Sequence, residues 1–594
     1  MQRNFDKDEV VMKPFDRAQF MRLLRYLAPH KKAMAASIGL MCIAAVAAQF
    51  GPYFFKIAID EGIPNRDFQL INYLGLGFLA LAFVNWLCAR WRTLIMSRVG
   101  QSVLYTMRMQ LFSHIQSLSF RFYDSRPAGK IMVRITSDVN TLNQLLTNGV
   151  VNMVSELFNL AVIVVLMLSM HTKLALLSFT ILPILGVFAV ALRPQIRRRW
   201  YKVRLKLSNI NANLNESIMG IRVTQAFVRE QKNQRHFEGL NAALRDSCMD
   251  AIKLNALFMP IVEIIAAVGT GLVIWYGTGM IRTGVLTVGI LVAFLNYLWR
   301  FWAPINMLAD FYTQIQTAMA SAQRVFEILD TKPEIKDAPG AIELPPIRGE
   351  VAFEHVNFGY DPGQVVLRDF SLKVKPGETI ALVGPTGAGK SSIINLLTRF
   401  YDPQAGRITI DGLDIKKVTI ESLRSQIGIV LQDTFIFSGP IRENLRYGKL
   451  DASMQEIIDA AQIANAHEFI MNFPEGYSTE VEERGAKLSV GQRQLLSFAR
   501  ALLLDPRILI LDEATSSIDT ETEILIQEAL ARLLVDRTSF VIAHRLSTIQ
   551  NADQIVVVDH GRIMEQGTHR ELLCRKGIYR DLFEAQMKPG LVGS

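Results

Sequence analysis

The sequence predicts two parts of different character: an all-α membrane domain of six spanning helices, followed by a soluble α/β domain. Three observations predict this. Six apolar segments, each near or above the ~20 residues that a bilayer crossing needs, crowd the first half. The second half alternates short β-rich runs with helical segments. One strand-to-helix transition there carries a glycine-rich loop of phosphate-binding spacing. Composition agrees. A chain of 594 residues is too long for a single core, and a mean hydropathy of +0.22 with 50% apolar residues exceeds the balance of an ordinary soluble protein.

In chain order, the charged stretch Met1 to Lys13 lacks an apolar core, so no cleavable signal peptide is expected. Phe15 to Ala28 places Phe20, Leu23, Leu24 and Leu27 on one helical face and Arg17, Arg22 and Arg25 on another. That pattern suits a helix in the cytoplasmic headgroup layer, a soluble packing helix being the alternative. The six apolar segments then fall at roughly 33–58, 69–96, 141–170, 173–193, 253–280 and 284–312.

The net charge of +9 is concentrated beside these segments. Arg90, Arg92, Arg98, Arg108, Arg121, Arg126, Lys130 and Arg134 lie between or at the edges of the second and third, and Arg193, Arg197, Arg198, Arg199, Lys202, Arg204 and Lys206 between the fourth and fifth. The remaining connections are short and poor in cations. This is membrane topology rather than nucleic-acid recognition: both termini and the two long connections are expected in the cytoplasm. The long connections keep a helical period, so the spanning helices should continue beyond the bilayer and fold back near Arg126-Pro127-Ala128-Gly129 and Gly220-Ile221-Arg222. The cysteines, Cys42, Cys88, Cys248 and Cys574, have neither metal-ligand nor redox spacing.

Glu156, Glu263, Asn296 and Arg300 interrupt apolar segments and should face the bundle interior or a wet cavity, because lipid exposure would be costly. They are candidates for a substrate pathway; for Glu263 and Arg300 structural pairing between helices is the other reading. The composition turns charged and proline-rich from Ser321 to about Gly349. The expected organisation is therefore a membrane domain over 1–320, a linker over 321–349 and a soluble domain over 350–587.

In the soluble part, Thr379-Ile380-Ala381-Leu382-Val383 precedes Gly384-Pro385-Thr386-Gly387-Ala388-Gly389-Lys390-Ser391-Ser392, the G-x-x-x-x-G-K-[ST] spacing between a strand and a helix. Glycines let the backbone turn tightly so that N–H groups face phosphate oxygens, and the helix N-terminus adds partial positive charge. Lys390 is expected at the β- and γ-phosphates and Ser391 on Mg²⁺. Downstream, Ile508-Leu509-Ile510-Leu511 ends in Asp512-Glu513. A buried strand of this kind delivers Asp512 to the Mg²⁺ shell and Glu513 to the attacking water as general base.

Leu488-Ser489-Val490-Gly491-Gln492-Arg493-Gln494 resembles the LSGGQ signature of ATP-binding cassette proteins, and the whole chain resembles a half-transporter of the type IV exporter group. The fold class is then a six-helix membrane domain followed by an ABC-type P-loop NTPase domain. The resemblance gives roles to further residues. Tyr360 matches the aromatic that stacks on adenine, Gln432 the glutamine that contacts Mg²⁺ and senses the γ-phosphate, and His544 the switch histidine. Ser516-Ser517-Ile518-Asp519 resembles the loop crossing between two cassettes, and Ser489, Gly491 and Gln492 belong to the signature that closes a partner's nucleotide site. The fold-backs correspond to coupling helices, and a dimer of twelve spanning helices is implied, since one cassette cannot complete a site.

Two departures stand out. Val490 replaces the usual glycine of the signature, adding bulk and restricting the backbone. Val481-Glu482-Glu483-Arg484-Gly485 departs from the more usual V-G-E-R-G. Beside an intact phosphate loop, Glu513 and His544, this resembles the hydrolysis-competent half of a heterodimeric multidrug exporter, against a homodimer that tolerates Val490. The implied function is ATP-driven export of amphipathic drug-like or lipid molecules across a bacterial plasma membrane, with no nucleic-acid partner. The alternative is an ATP-gated channel or regulatory ATPase subunit that does not pump.

Overall fold

The computed structural model describes residues 16–361, 363–432, 434–512, 519–542, 546–575 and 577–587. The chain forms two compact units, one taking the residues up to His114 together with Gly129–Asp330, the other taking Ile115–Ala128 and the residues from Thr331 onward.

The first unit is helical. Its opening helix, Arg17–Leu24, is started by Asp16, whose Oδ1 accepts from the backbone N–H of Ala18 at 2.8 Å and of Gln19 at 3.3 Å. Leu23 and Leu27 are buried. Arg22 donates to Asp330 at 2.8 Å and lies 4.2 Å above the Phe326 ring, so part of the expected polar face is a packing contact.

Lys31–Ile57, Phe68–Gln116 and Glu230–Arg282 are long helices. Ala128–Met170 is continuously helical, with π-type turns at Arg134–Asp138 and Leu145–Gly149. The stretches Arg17–Gly62, Phe68–Gln116, Ala128–Met170 and Glu230–Arg282 are long and apolar enough to cross a membrane among the described residues. The expected segment 173–193 falls on Thr172–Phe179 and the start of Ile181–Met219, and the last segment on Val288–Asp330, whose part Val288–Phe301 is a shorter apolar helix. At 1.5 Å per residue Phe68–Gln116 is about 70 Å long, more than twice a hydrocarbon core.

Val288–Asp330 stays helical past Ser321, where the composition turns charged. The reason is periodicity: Ala318, Ala322, Val325 and Phe326 are all buried on one face. Beside them Asp138, only 4% exposed, accepts from Ser321 Oγ at 2.8 Å, Arg324 Nε at 2.9 Å and Arg134 Nη1 at 3.0 Å. The buried carboxylate thus has the partners it needs.

Among its described residues the second unit holds three sheets. Strands β1 (Val351–Phe358), β2 (Leu367–Val374), β4 (Ala405–Ile410) and β5 (Leu413–Asp414) form an antiparallel sheet in the order β2-β1-β4-β5. The central sheet combines β3 (Thr379–Val383), β6 (Ile427–Val430), β9 (Ile508–Asp512), β10 (Thr538–Ile542), β11 (Gln554–Asp559) and β12 (Arg562–Gly567) in the order β12-β11-β3-β10-β9-β6. All its pairings are parallel except β11 with β12. A ribbon of β7 (Gly439–Pro440) and β8 (Glu480–Val481) completes the set. β10 is buried at every position, as expected of a parallel strand covered on both faces.

Candidate nucleotide-binding site

The central sheet sets the site. Leu382 of β3 is level with Ile542 of β10, which is level with Asp512 of β9, and Leu511 is level with Val430 of β6. The C-terminal ends of four adjacent parallel strands therefore lie along one edge, where α/β sheets bind ligands. Gly384 follows the end of β3, Gln432 follows β6 by two residues, and Asp512 ends β9. The residues after β10, with His544 among them, lie outside the described residues, as do Glu513 and Ser516-Ser517-Ile518.

Gly384 has φ +152°, and a Cβ there would sit 2.1 Å from the Val558 carbonyl oxygen. Gly389, at φ +107°, ends the loop and caps the helix Lys390–Leu397. Neither position accepts a side chain, which explains why the sequence spends glycine there. Pro385, Thr386 and Gly387 are exposed on the rim, Ala388 is buried, and Ser391 and Ser392 lie in the first helical turn, Ser391 exposed and Ser392 buried. Lys390 is buried, and its ammonium donates to the carbonyls of Gly384 at 2.7 Å and Pro385 at 3.0 Å. Burial pushes its pKa down, while the carboxylate of Asp512 acts in the opposite direction. Lysine and aspartate thus sense each other's charge across the site.

Tyr360 follows β1 and is half-buried. Its hydroxyl shares a 3.0 Å hydrogen bond with Ser392 Oγ and accepts from Asn395 Nδ2 at 3.1 Å. The tyrosine is tied to the helix that begins in the phosphate loop. Its ring meets Phe358 and Tyr401 edge-on, with centroids 4.9 and 5.1 Å away.

Ser489 is the N-cap of the helix Val490–Leu504. Its Oγ accepts from Gln492 N–H at 3.2 Å, and Gln492 Oε1 accepts from Ser489 N–H at 3.0 Å, a reciprocal capping box. Gly491 is buried. Arg493 Nη1 donates to the Leu488 carbonyl at 2.7 Å and braces the turn from behind, a contact the motif spacing does not announce. Gln494 of the same helix lines a small cavity together with Asp512, Val430, Leu511, Phe498 and Val541.

Of the candidate pathway residues in the first unit, Glu156 is half-buried, and Glu263, Asn296 and Arg300 are exposed. Asn296 Nδ2 turns back to the Val292 carbonyl at 2.9 Å, and Arg300 Nη1 donates to the Ala48 carbonyl at 2.5 Å.

Comparison with known proteins gives the family. An ABC transporter transmembrane region matches residues 34–304, and an ABC transporter model matches residues 367–516. The uncharacterized ABC transporter ATP-binding protein YknV of Bacillus subtilis is 47% identical over 98% of this chain and 97% of its own length. The chain belongs to the ABC transporter family. An ATP-dependent lipid A-core flippase of Syntrophus aciditrophicus is 39% identical, over 97% of this chain and 95% of its own. The solved structure of a bacterial Atm1-family ABC exporter with ATP bound matches with a TM-score of 0.78 and 31% identity, covering 94% of this chain and 99% of that one.

This ABC transporter is thus an integral membrane protein with the type IV exporter fold and a cytoplasmic ATP-binding domain. It is an ATP hydrolase coupled to transport, working in the export direction, and exporters of this fold function as dimers. The phosphate loop, Gln432, the signature and Asp512 all fall inside the matched cassette region, whereas Tyr360 and His544 lie outside it.

Proposed function

We propose that this chain is the hydrolysis-competent half of a heterodimeric exporter that moves amphipathic drug-like or lipid molecules across the plasma membrane by alternating access. The observation that carries the reading is the sheet edge at which Gly384 follows β3, Gln432 follows β6 and Asp512 ends β9, all strands of one parallel set. The flippase relative gives independent support for a lipid-like substrate, because its activity is on an amphipathic lipid.

In this reading the loop Gly384 to Ser392 holds the ATP phosphates, with Lys390 exchanging its two carbonyl contacts for phosphate oxygens. Tyr360 contacts the adenine. Ser391, Gln432 and Asp512 offer hard oxygen donors suited to Mg²⁺. Held there, Mg²⁺ would supply neutralisation of phosphate charge. Glu513 orients and deprotonates the attacking water, and His544 contacts the γ-phosphate. Ser489, Gly491 and Gln492 serve the partner's site, where Val490 makes the fit poorer.

The test is ATP-dependent accumulation of dyes, drugs and labelled lipids in inside-out vesicles, with this chain alone and with candidate partner half-transporters. Glu513→Gln should abolish accumulation and hydrolysis while ATP still binds. A well-formed dimer of this chain alone with substrate-stimulated ATPase activity would sink the heterodimer, and hydrolysis without accumulation of any tested substrate would sink export of this substrate class.

A further inference from the structure

The segment Ile115–Ala128, between the second and third long helices, packs within the same compact unit as the cassette. Its short helix Phe120–Asp124 meets the cassette through three side chains. Phe120 stacks on Phe400, with centroids 5.2 Å apart and planes at 22°. Arg121 Nη2 donates to the backbone carbonyl of Tyr360 at 2.8 Å, while its Nη1 lies 3.3 Å from Glu334 Oε2. Asp124 accepts from the Tyr401 hydroxyl.

Two of these contacts converge on one residue. Arg121 fixes the Tyr360 backbone directly. Asp124 fixes Tyr401, whose ring stands edge-on to that of Tyr360 at 89°. Burial, and then the bond to Asp124, push the Tyr401 phenol up, so it remains the donor. The far end of Tyr360 reaches Ser392 and Asn395. A continuous path of contacts therefore runs from Phe120–Asp124 through Tyr360 to the helix that begins in the phosphate loop. Arg121 and Asp124, both on one short helix, thus act on a single residue, one through its backbone and the other through its ring neighbour. Surface decoration would not require that.

We propose that Arg121 and the Asp124–Tyr401 pair are positioning residues for nucleotide capture, holding Tyr360 in the place from which it receives the base. The proposal rests on the reading of Tyr360 as the adenine contact. It makes the helix Phe120–Asp124 a determinant of ATP affinity in addition to a mechanical link, because displacing that helix releases the Tyr360 carbonyl and tilts the Tyr401 ring together.

The test uses the full-length dimer in lipid nanodiscs and compares KM for ATP with kcat for Arg121→Gln, Asp124→Asn, Tyr401→Phe, Tyr360→Ala and Tyr360→Trp. Tyr401→Phe keeps the ring and removes only the hydroxyl. Arg121→Gln and Tyr401→Phe should each raise KM about three- to tenfold, the scale of one ordinary hydrogen bond, with kcat changed less than twofold. Tyr360→Ala should raise KM at least as much, and Tyr360→Trp should restore it. A purely structural role would instead lower the active fraction, reducing kcat at unchanged KM. If Tyr360→Ala raises KM but Arg121→Gln, Asp124→Asn and Tyr401→Phe do not, the positioning role is wrong. If Tyr360→Ala itself leaves KM unchanged, the base-contact reading and this inference fall together. Should Arg121→Gln fail to assemble, Tyr401→Phe decides alone.

Discussion

The bond between Arg300 and Ala48 has a cause that can be tested. Pro52 lies inside the helix Lys31–Ile57 and has no N–H, so the carbonyl four residues earlier, Ala48, loses its helical donor. Arg300 Nη1 donates to that same carbonyl at 2.5 Å, and the neighbouring Gln49 carbonyl accepts from the Tyr297 hydroxyl at 2.7 Å. The Arg300 side chain of one helix thus replaces what proline removes from another. Leaving a carbonyl unbonded in an apolar setting costs about 1–3 kcal/mol. Arg300→Met, which keeps length and apolar contact, should therefore destabilise the protein by about that amount. Pro52→Ala supplies the missing N–H, so Arg300→Met should cost far less in the Pro52→Ala background, with a coupling of about 1–2 kcal/mol. Denaturant unfolding in detergent micelles of the four members of the cycle measures this, and substrate KM in vesicles is read beside it. Additivity within about 0.5 kcal/mol would refute the capping argument. If substrate KM changes with Arg300→Met equally in both backgrounds, the side chain lines the transport path instead.

Asp138→Ala should destabilise the first unit by about 3–5 kcal/mol, since it leaves Arg324 and Arg134 without their buried carboxylate; differential scanning fluorimetry would show a marked drop in the unfolding temperature. Ser489→Ala removes one side of the capping box and should cost about 1 kcal/mol in cassette stability, while Ser489→Asp should retain most of it in denaturant unfolding. Gly384→Ala places a methyl against the Val558 carbonyl at a φ that L-residues avoid, and should abolish binding of a fluorescent ATP analogue in protein that still inserts into the membrane.

The parts legible in the sequence were those fixed by local pattern. The phosphate loop announces itself by glycines whose places are dictated by φ and by the Val558 carbonyl on the neighbouring strand β11, yet the glycine spacing alone suffices to find it. Asp512 at the end of β9 follows from an apolar run with a charged end. What stayed hidden depends on contacts between residues far apart in sequence. Arg121 reads as one more cytoplasmic cation among many, because nothing local reveals Tyr360 some 239 residues away. Tyr401 and Asp124 carry no motif at all. Arg300 could be placed inside a span, but its partner is a backbone carbonyl, and the only available signal was Pro52 in an apolar segment. Ser321 to Asp330 read as the start of a linker because their charges outweighed a helical period that packing then enforced.

The signature departure is sharpened by the same reasoning. A β-branched residue restricts the backbone only where the chain needs a conformation it resists, and Val490 is the first residue of a regular helix. The capping box between Ser489 and Gln492 forms around it without its side chain taking part. Backbone restriction therefore drops out as the consequence of the Gly-to-Val change, leaving side-chain bulk. That bulk is 43% exposed at the helix N-terminus, beside the buried Gly491. In the proposed reading its cost falls on the nucleotide held by the other cassette, which approaches this N-terminus. The proposed asymmetry thus arises from one side chain whose effect this chain's own folding does not register, so it could accumulate in one half of a pair while the other half's signature stayed intact.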